Sequence, residues 1–219
     1  MASSLVLKAV IFDLDGTLID NEGVYDRAFC QILKKRDISC EEVVHIPGIG
    51  VRENWEKMVA NIGMDEDPKD LAQETQEFYL QHLKEVEVRY GVRELLYYLR
   101  GEGIKILLAT SNTAKIGNKV LEALGIGHHF ETRTFGDEVS QKKPAPDLFL
   151  KAMEKEGLNP RSVIIIEDSP SGVAAAKAAG TKVIAIKTDW ATRSQLSRAD
   201  RIAGNFAQIT ELIKQEWPN

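Results

Sequence analysis

The chain contains only two cysteines among its 219 residues, Cys30 and Cys40. Their spacing matches no zinc motif, and so few cysteines exclude a disulfide-rich secreted scaffold. We expect both to be free thiols in a reducing compartment, with a disulfide between them as the open alternative. The sequence also lacks an apolar run long enough to cross a bilayer and an N-terminal secretory signal. These absences predict a cytoplasmic protein that does not bind membranes.

The chain also lacks a large excess of charge of either sign. It has 28 basic and 33 acidic residues, a formal net charge of -5. Such a balance excludes a broad electrostatic attraction to nucleic acid. The four histidines, at positions 45, 82, 128 and 129, show no metal-binding spacing, and we interpret them as surface or packing residues. No extensive apolar surface pattern indicates an oligomer, so a monomer is expected.

Apolar, β-branched runs alternate with helical patterns, which is typical of an α/β protein with a mostly parallel sheet. Glycines follow four of the predicted helices, where a left-handed residue often ends a helix. Strands are predicted over residues 5–12, 104–109, 131–135, 162–166 and 182–186. Helices are predicted over residues 91–102, 114–124, 146–156 and 171–179.

Residues 20–87 have a different character, because they are rich in charge and helical periodicity and contain no convincing strand. Helices are predicted at 25–35, 52–62 and 70–86, with a turn or hinge at Pro47-Gly48-Ile49-Gly50. The simplest organisation is an α/β core of residues 1–18 and 88–219, with an α-helical cap of residues 19–87 inserted into it. A cap beside the end of the first strand would act as a lid.

Two aspartates, Asp13 and Asp15, follow the first apolar run. Ligand sites of parallel sheets lie at the carboxyl ends of the strands. Two carboxylates this close repel each other unless a cation or a shared proton relieves them, so the pair is a candidate for metal binding or acid–base chemistry. The alternative is a solvated boundary between a strand and a loop.

Polar residues also occur in three other segments that are expected to lie at this edge of the sheet. Thr110-Ser111-Asn112 precedes a helix and suits either phosphate binding or ordinary N-capping. Glu167-Asp168 ends another apolar run, and acids from two strands can converge on a hard cation such as Mg²⁺. Lys143 precedes two prolines that stiffen its approach, and it either neutralises a phosphate there or faces solvent.

Taken in chain order, these segments resemble the four motifs of the haloacid dehalogenase superfamily. The matching residues are Asp13-Leu14-Asp15-Gly16-Thr17, then Thr110, then Lys143 before Pro-Ala-Pro-Asp, then Glu167-Asp168-Ser169-Pro170-Ser171-Gly172-Val173. The resemblance covers essentially the whole chain and is greatest to sugar-phosphate phosphatases, phosphoglycolate phosphatases and β-phosphoglucomutases. It implies a Rossmann-like three-layer core with a mostly parallel sheet and an inserted α-helical cap.

The resemblance further implies a Mg²⁺-dependent phosphatase acting on a small phosphorylated metabolite, a sugar phosphate or a phosphoglycolate-like ester. Asp13 would be the nucleophile that forms an aspartyl-phosphate, and Asp15 the proton shuttle. The expected Mg²⁺ ligands are the Asp13 carboxylate, the Asp15 backbone carbonyl, Asp168 and Glu167. The expected phosphate ligands are Thr110, Ser111, Asn112 and Lys143.

The acid at position 15 favours phosphate transfer over dehalogenation, because a departing halide needs no proton. A β-phosphoglucomutase-like phosphotransferase is the alternative, and a non-enzymatic binding protein on the same fold is a more distant one. Arg52 is a candidate for holding a second phosphate at the cap, or for contacting a substrate carboxylate or sugar hydroxyl. An ion pair with a neighbouring acid on a helix is the favoured alternative. Glu22 is a second candidate for a substrate contact from the cap, with solvent exposure as its alternative.

Overall fold

The computed structural model describes residues 6–41 and 45–217. Its main sheet has six parallel strands in the order β5-β4-β1-β6-β7-β8, and a separate antiparallel pair joins β2 to β3. The strands are β1 Ala9–Phe12, β2 Ile19–Asp20, β3 Glu87–Val88, β4 Lys105–Thr110, β5 Thr132–Phe135, β6 Val163–Glu167, β7 Lys182–Ile186 and β8 Arg201–Ala203. The helices are α1 Glu22–Lys34, α2 Val51–Ile62, α3 Pro68–Gln81, α4 Val92–Gly101, α5 Ala114–Ala123, α6 Asp147–Lys155, α7 Pro170–Ala178 and α8 Phe206–Glu216.

The central strands are buried on both faces, and their side chains alternate between two apolar layers. In β1, Val10 and Phe12 join the layer that contains α4, α5 and α8, whereas Ala9 and Ile11 join the layer that contains α6 and α7. This alternation follows from the two-residue repeat of an extended strand. The result is the three-layer α/β arrangement that the sequence predicts, with helices on both faces of a parallel sheet.

Helices α1 to α3 lie between β2 and β3 in the chain, and we call residues 22–81 the helical insert. Its interior is apolar and aromatic: the rings of Tyr25 and Tyr79 stack 4.4 Å apart, and the buried Trp55 donates a hydrogen bond to Thr75. The β2–β3 pair, with Ile19 opposite Val88, brings the two ends of the insert together beside β1. The insert therefore lies next to the carboxyl end of β1.

Several elements differ from the sequence-based predictions. The first strand begins at Ala9, and position 5 lies outside the described residues. The third helix of the insert ends at Gln81 and a short 3-10 turn follows it, so the predicted helix 70–86 was too long. The two-residue strands, β8 and α8 were not predicted, because they are short or carry a weaker apolar pattern.

The expectation of free cysteines is wrong in this structure, because Cys30 and Cys40 form a disulfide. The chain turns back after α1, and this turn brings the two Cα atoms within 5.0 Å of each other. None of the helices in the described part of the chain combines the length and the apolar character that crossing a membrane demands.

Candidate active site

A cavity of ≈ 110 Å³ lies where the ends of β1 and β6 meet the helical insert. Asp13, Asp15, Lys143 and Asp168 line its inner side, and Glu22 and Arg52 line it from the insert. Thr110 is fully buried behind this surface, whereas Ser111 and Asn112 reach it. The strand ends thus bring together residues that are up to 155 positions apart in the sequence.

Lys143 links two buried carboxylates. Its ammonium group donates hydrogen bonds to Asp13, at 2.5 Å, and to Glu167, at 2.6 Å, and it lies 5.1 Å from the ring centroid of Phe149. Burial opposes the charge of this lysine, but the two carboxylates outweigh burial and raise its pKa. Lys143 therefore remains a cation in a site from which water is largely excluded.

Asp13 is almost completely buried, and burial raises its pKa to about 7 in spite of the nearby Lys143. The charges of Glu167 and Asp15 act in the same direction as burial. A cation beside Asp13 would favour its ionised form, the form that a nucleophilic carboxylate requires.

The carboxylate of Glu167 accepts hydrogen bonds from neighbouring backbone and side-chain groups. Its Oε2 atom accepts hydrogen bonds from the backbone N–H groups of Asp168 and Ser169, both at 2.8 Å, and from the Ser169 hydroxyl at 2.9 Å. Its Oε1 atom accepts from Lys143. Gly172, in the first turn of α7, packs so closely that a Cβ there would overlap the carboxylate. Both oxygens of Glu167 thus have hydrogen-bond donors, and Lys143 lies between this carboxylate and that of Asp13.

Asp15 has a different set of partners from Asp13. Its Oδ1 atom accepts a hydrogen bond from Asn21 at 2.5 Å, and its Oδ2 atom accepts from Asn112 at 2.6 Å and from Thr110 at 3.4 Å. Burial raises the pKa of Asp15, and the hydrogen bonds from Asn21 and Thr110 together with the charge of Lys143 counteract part of the rise. Neutral donors thus hold one aspartate and a lysine holds the other, so the two carboxylates are distinct chemical groups.

Asp168 is the residue best placed to receive a cation. Its Oδ1 atom accepts a hydrogen bond from the Thr17 hydroxyl at 2.8 Å, whereas its Oδ2 atom is buried without a hydrogen-bond partner. Burial and the charges of Glu167 and Asp13 raise its pKa well above the ordinary value. A buried carboxylate oxygen without a partner is costly, and a bound cation would remove that cost.

The donor set suits Mg²⁺ but is not a closed cage. Among the described residues, no three acidic, histidine or cysteine side chains form a ready-made metal site. Mg²⁺ commonly takes only one or two protein carboxylates and keeps several waters. Asp13, Asp168 and a backbone carbonyl at the end of β1 fit that requirement.

The insert contributes a second group of polar side chains. Glu22, at the start of α1, is largely buried, and burial together with the charges of Asp15, Asp26 and Asp20 raises its pKa to about 8. Arg52 reaches the cavity but is 61% exposed and forms an ion pair with Glu56 one helical turn away, at 2.9 Å. The structure therefore gives Arg52 the helix ion pair that the sequence offered as one alternative.

One backbone contact joins the insert to the core at the cavity. The Ser171 hydroxyl, at the start of α7, donates a hydrogen bond to the carbonyl of Gly48 at 2.9 Å. Gly48 has a positive φ of 80°, and a Cβ there would lie 2.7 Å from Cβ of Ser169. The predicted turn at this glycine is therefore where the insert rests against α7.

Sequence reasoning missed several side chains that line this site or hydrogen-bond to its acids. Asn21 donates to Asp15, Thr17 donates to Asp168, and His45 lines the cavity although its lack of metal spacing indicated a surface or packing residue. The position of Asn21 just beyond the first motif was a usable signal, because its amide is within reach of the preceding turn. Nothing in the sequence pattern singled out His45.

Comparison with known proteins places this geometry in a family. The sequence model of the haloacid dehalogenase-like hydrolases matches residues 10–186. A phosphorylated carbohydrates phosphatase of Thermotoga maritima is 33% identical over 81% of this chain and 84% of its own length. A phosphoglycolate phosphatase of Pseudomonas putida is 32% identical over 82% of this chain and 69% of its own. The crystal structure of a β-phosphoglucomutase from Clostridium difficile superposes with a TM-score of 0.82 at 24% identity, covering 96% of this chain and 97% of that one.

Proposed function

The chain belongs to the haloacid dehalogenase-like hydrolases and is a phosphoric monoester hydrolase, and from that premise we propose that it is a Mg²⁺-dependent phosphatase of a small phosphorylated metabolite. The reaction proceeds through a phosphoryl group carried on Asp13. Relatives named for phosphorylated carbohydrates and for phosphoglycolate support the substrate class.

The observation that carries the proposal is the different setting of Asp13 and Asp15. Asp13 faces Lys143 and the acidic end of β6, so its carboxylate can attack phosphorus while Lys143 neutralises the phosphoryl oxygens. Asp15 is held by two amides and has a raised pKa, which suits a group that gives a proton to the leaving oxygen and then takes one from water.

A cation at this site is supported by the unpartnered Oδ2 atom of Asp168. We assign Asp13, Asp168 and the backbone carbonyl of Asp15 as its ligands, and we assign Glu167 to the positioning of Lys143. Mg²⁺ bound there supplies positive charge that shields the nucleophile from the anionic substrate. Ser111 and the backbone N–H groups at the start of α5 remain candidates for binding the phosphoryl oxygens, whereas Asn112 and Thr110 are proposed to hold Asp15.

The helical insert, residues 22–81 within the proposed cap of residues 19–87, is proposed to close the cavity from water. The contact between Ser171 and Gly48 supports this role. A phosphatase is favoured over a phosphoglucomutase-like phosphotransferase, because a mutase must hold a second phosphate and Arg52 is largely exposed and paired with Glu56.

The proposal is tested by release of phosphate from p-nitrophenyl phosphate with and without Mg²⁺. Asp13→Asn keeps the size of the side chain but removes the nucleophile, so we expect turnover to disappear while the circular dichroism spectrum is unchanged. Asp65→Asn, an exposed acid on the insert, is the matched control and should retain wild-type activity. Absence of Mg²⁺-dependent turnover by the wild-type protein, on this ester and on a panel of phosphorylated metabolites, would falsify the proposal.

A second assay separates phosphatase from phosphotransferase. The protein is incubated with β-glucose 1-phosphate and a glucose bisphosphate primer. A phosphatase releases inorganic phosphate, whereas accumulation of glucose 6-phosphate would identify a mutase.

A further inference from the structure

Two buried side chains of the helical insert face each other at the cavity with a gap between them. The Oε2 atom of Glu22 has no hydrogen-bond partner, and Nε2 of His45 lies 3.7 Å from it. Their side chains are only 17% and 7% exposed. Both residues line the cavity that also contains Asp13 and Asp15. The two residues therefore lie beside the substrate space without satisfying each other's hydrogen-bonding groups.

The contact made by Nδ1 of His45 determines whether Nε2 donates or accepts a hydrogen bond. Nδ1 of His45 lies 3.0 Å from a carboxylate oxygen of Asp26, so Nδ1 carries the hydrogen and donates it. Burial lowers the pKa of His45, which keeps the ring neutral in spite of Asp26. Its Nε2 atom is then a hydrogen-bond acceptor 3.7 Å from Oε2 of Glu22.

Glu22 supplies the complementary group. Burial and the neighbouring carboxylates of Asp15, Asp26 and Asp20 raise its pKa to about 8, and Arg89 offsets only part of this effect. A protonated Glu22 has an O–H donor as well as an acceptor oxygen. A hydroxyl group is the ligand that satisfies such a pair, because it donates to Nε2 of His45 and accepts from Glu22 at the same time.

The charges around the cavity disfavour a carboxylate at this position. A carboxylate of the substrate would accept hydrogen bonds only and would meet Asp15 and the acidic surroundings of Glu22. The buried cation, Lys143, is engaged by Asp13 and Glu167. The two other cations that line the cavity, Arg52 and Lys142, are exposed, and Arg52 is paired with Glu56. The inner part of the cavity thus offers a free acidic group and no free buried cation among the residues described.

The size of the cavity limits the rest of the substrate. Its volume of ≈ 110 Å³ is well below the ~300–1,000 Å³ of pockets that hold drug-sized ligands. A phosphate group with a few carbon atoms matches this space better than a large sugar.

We propose that Glu22 and His45 bind a hydroxyl group of the substrate, and that the substrate is therefore the phosphate monoester of a short polyol rather than phosphoglycolate. This inference rests on the proposed phosphatase function. Glu22 and His45 act as binding residues that select the substrate, and they take no part in the transfer of the phosphoryl group.

The test compares three esters that differ in the group facing the insert: glycerol 3-phosphate, which has hydroxyls; propyl phosphate, which has none; and phosphoglycolate, which has a carboxylate. For the wild-type protein we expect kcat/KM for glycerol 3-phosphate to exceed each of the others by about 10- to 100-fold, the range of one or two well-placed hydrogen bonds. Glu22→Ala should reduce this preference to within about threefold by lowering kcat/KM for glycerol 3-phosphate alone.

Two further variants keep the result interpretable. Glu22→Gln retains a donor and an acceptor and should keep part of the preference, and Glu53→Ala, an exposed acid of α2 paired with Lys57, should leave all three values unchanged. A wild-type preference for phosphoglycolate, or an unchanged ratio of glycerol to propyl ester in Glu22→Ala, overturns the inference. Neither outcome affects the proposed function, which is tested separately by Mg²⁺-dependent turnover of p-nitrophenyl phosphate and of the panel of phosphorylated metabolites.

Discussion

Replacing Gly172 with alanine tests whether the site depends on the exact placement of Glu167. Gly172 lies in the first turn of α7, directly behind the Glu167 carboxylate. A Cβ at this position would lie only 1.7 Å from Oε1 of the carboxylate, so an ordinary contact of ~3.5 Å requires the carboxylate or the helix to move by about 1.8 Å. The substitution removes no chemical group that the reaction uses.

The cost of that movement follows from the partners of Glu167. Oε2 gives up hydrogen bonds from the Asp168 and Ser169 backbone and from the Ser169 hydroxyl, and Oε1 loses its alignment with Lys143. Because these bonds involve a buried charge, we expect the free energy of unfolding to fall by about 2–4 kcal/mol. A displacement of only about 1 Å near the reacting groups costs about 100-fold in rate, so kcat should fall by at least about that factor.

The measurements are kcat for p-nitrophenyl phosphate with Mg²⁺ and the free energy of unfolding from urea titration. The matched control is Gly101→Ala at the end of α4, where a Cβ meets nothing within 4 Å. That substitution should leave kcat unchanged and stabilise the protein by up to about 1 kcal/mol. If Gly172→Ala kept both wild-type kcat and wild-type stability, the packing argument for Glu167 would be refuted.

Two other predictions concern stability. Lys177 and Lys182 outweigh burial and lower the pKa of Asp200 to about 2, so its ionised form stabilises the fold above pH 4 and this contribution is lost as the pH falls through 2. Asp200→Asn should therefore lower the free energy of unfolding at pH 7 by about 1–2 kcal/mol, allowing for solvent screening. In urea titrations this difference from wild type should vanish near pH 2. A difference that stays constant from pH 7 to pH 2 would contradict the role given to the ionised Asp200. Reducing the disulfide between Cys30 and Cys40, which closes a loop of about ten residues, should lower the free energy of unfolding by about 2–3 kcal/mol. Dithiothreitol should lower the melting temperature of the wild type but not of a variant with serine at both positions, and equal responses would rule out this role.

The sequence predicts the core of the fold because its strongest signals are local. The apolar runs of β1, β4, β6 and β7 are buried on both faces. A continuous apolar run of this kind predicts a buried strand even when the neighbouring strands are unknown. The same runs predict that the polar residues at their ends lie close together, because parallel strands end at one edge of a sheet. Family resemblance then supplies the expected roles.

The missed features depend on contacts between distant segments. Asn21 and His45 gain their significance only when the insert is folded against the end of β1. The division between Glu167, which holds Lys143, and Asp168, which keeps an unpartnered oxygen, cannot be read from two adjacent acids. The disulfide depends likewise on the turn after α1.

The alternation of side chains along β1 and β6 has a consequence for how this protein can change. Ala9 and Ile11 face the α6–α7 layer, as do Val163 and Ile165 of the neighbouring strand, and Asp13 and Glu167 come two residues after Ile11 and Ile165. The two acids that share Lys143 thus occupy the next position of an apolar row. Deleting one residue from either strand would turn that row toward the opposite apolar layer, whose side chains it does not fit, and would separate the acids in the same step. A mutation that shifts either strand is therefore expected to lower the stability of the fold and to disrupt the acidic site together.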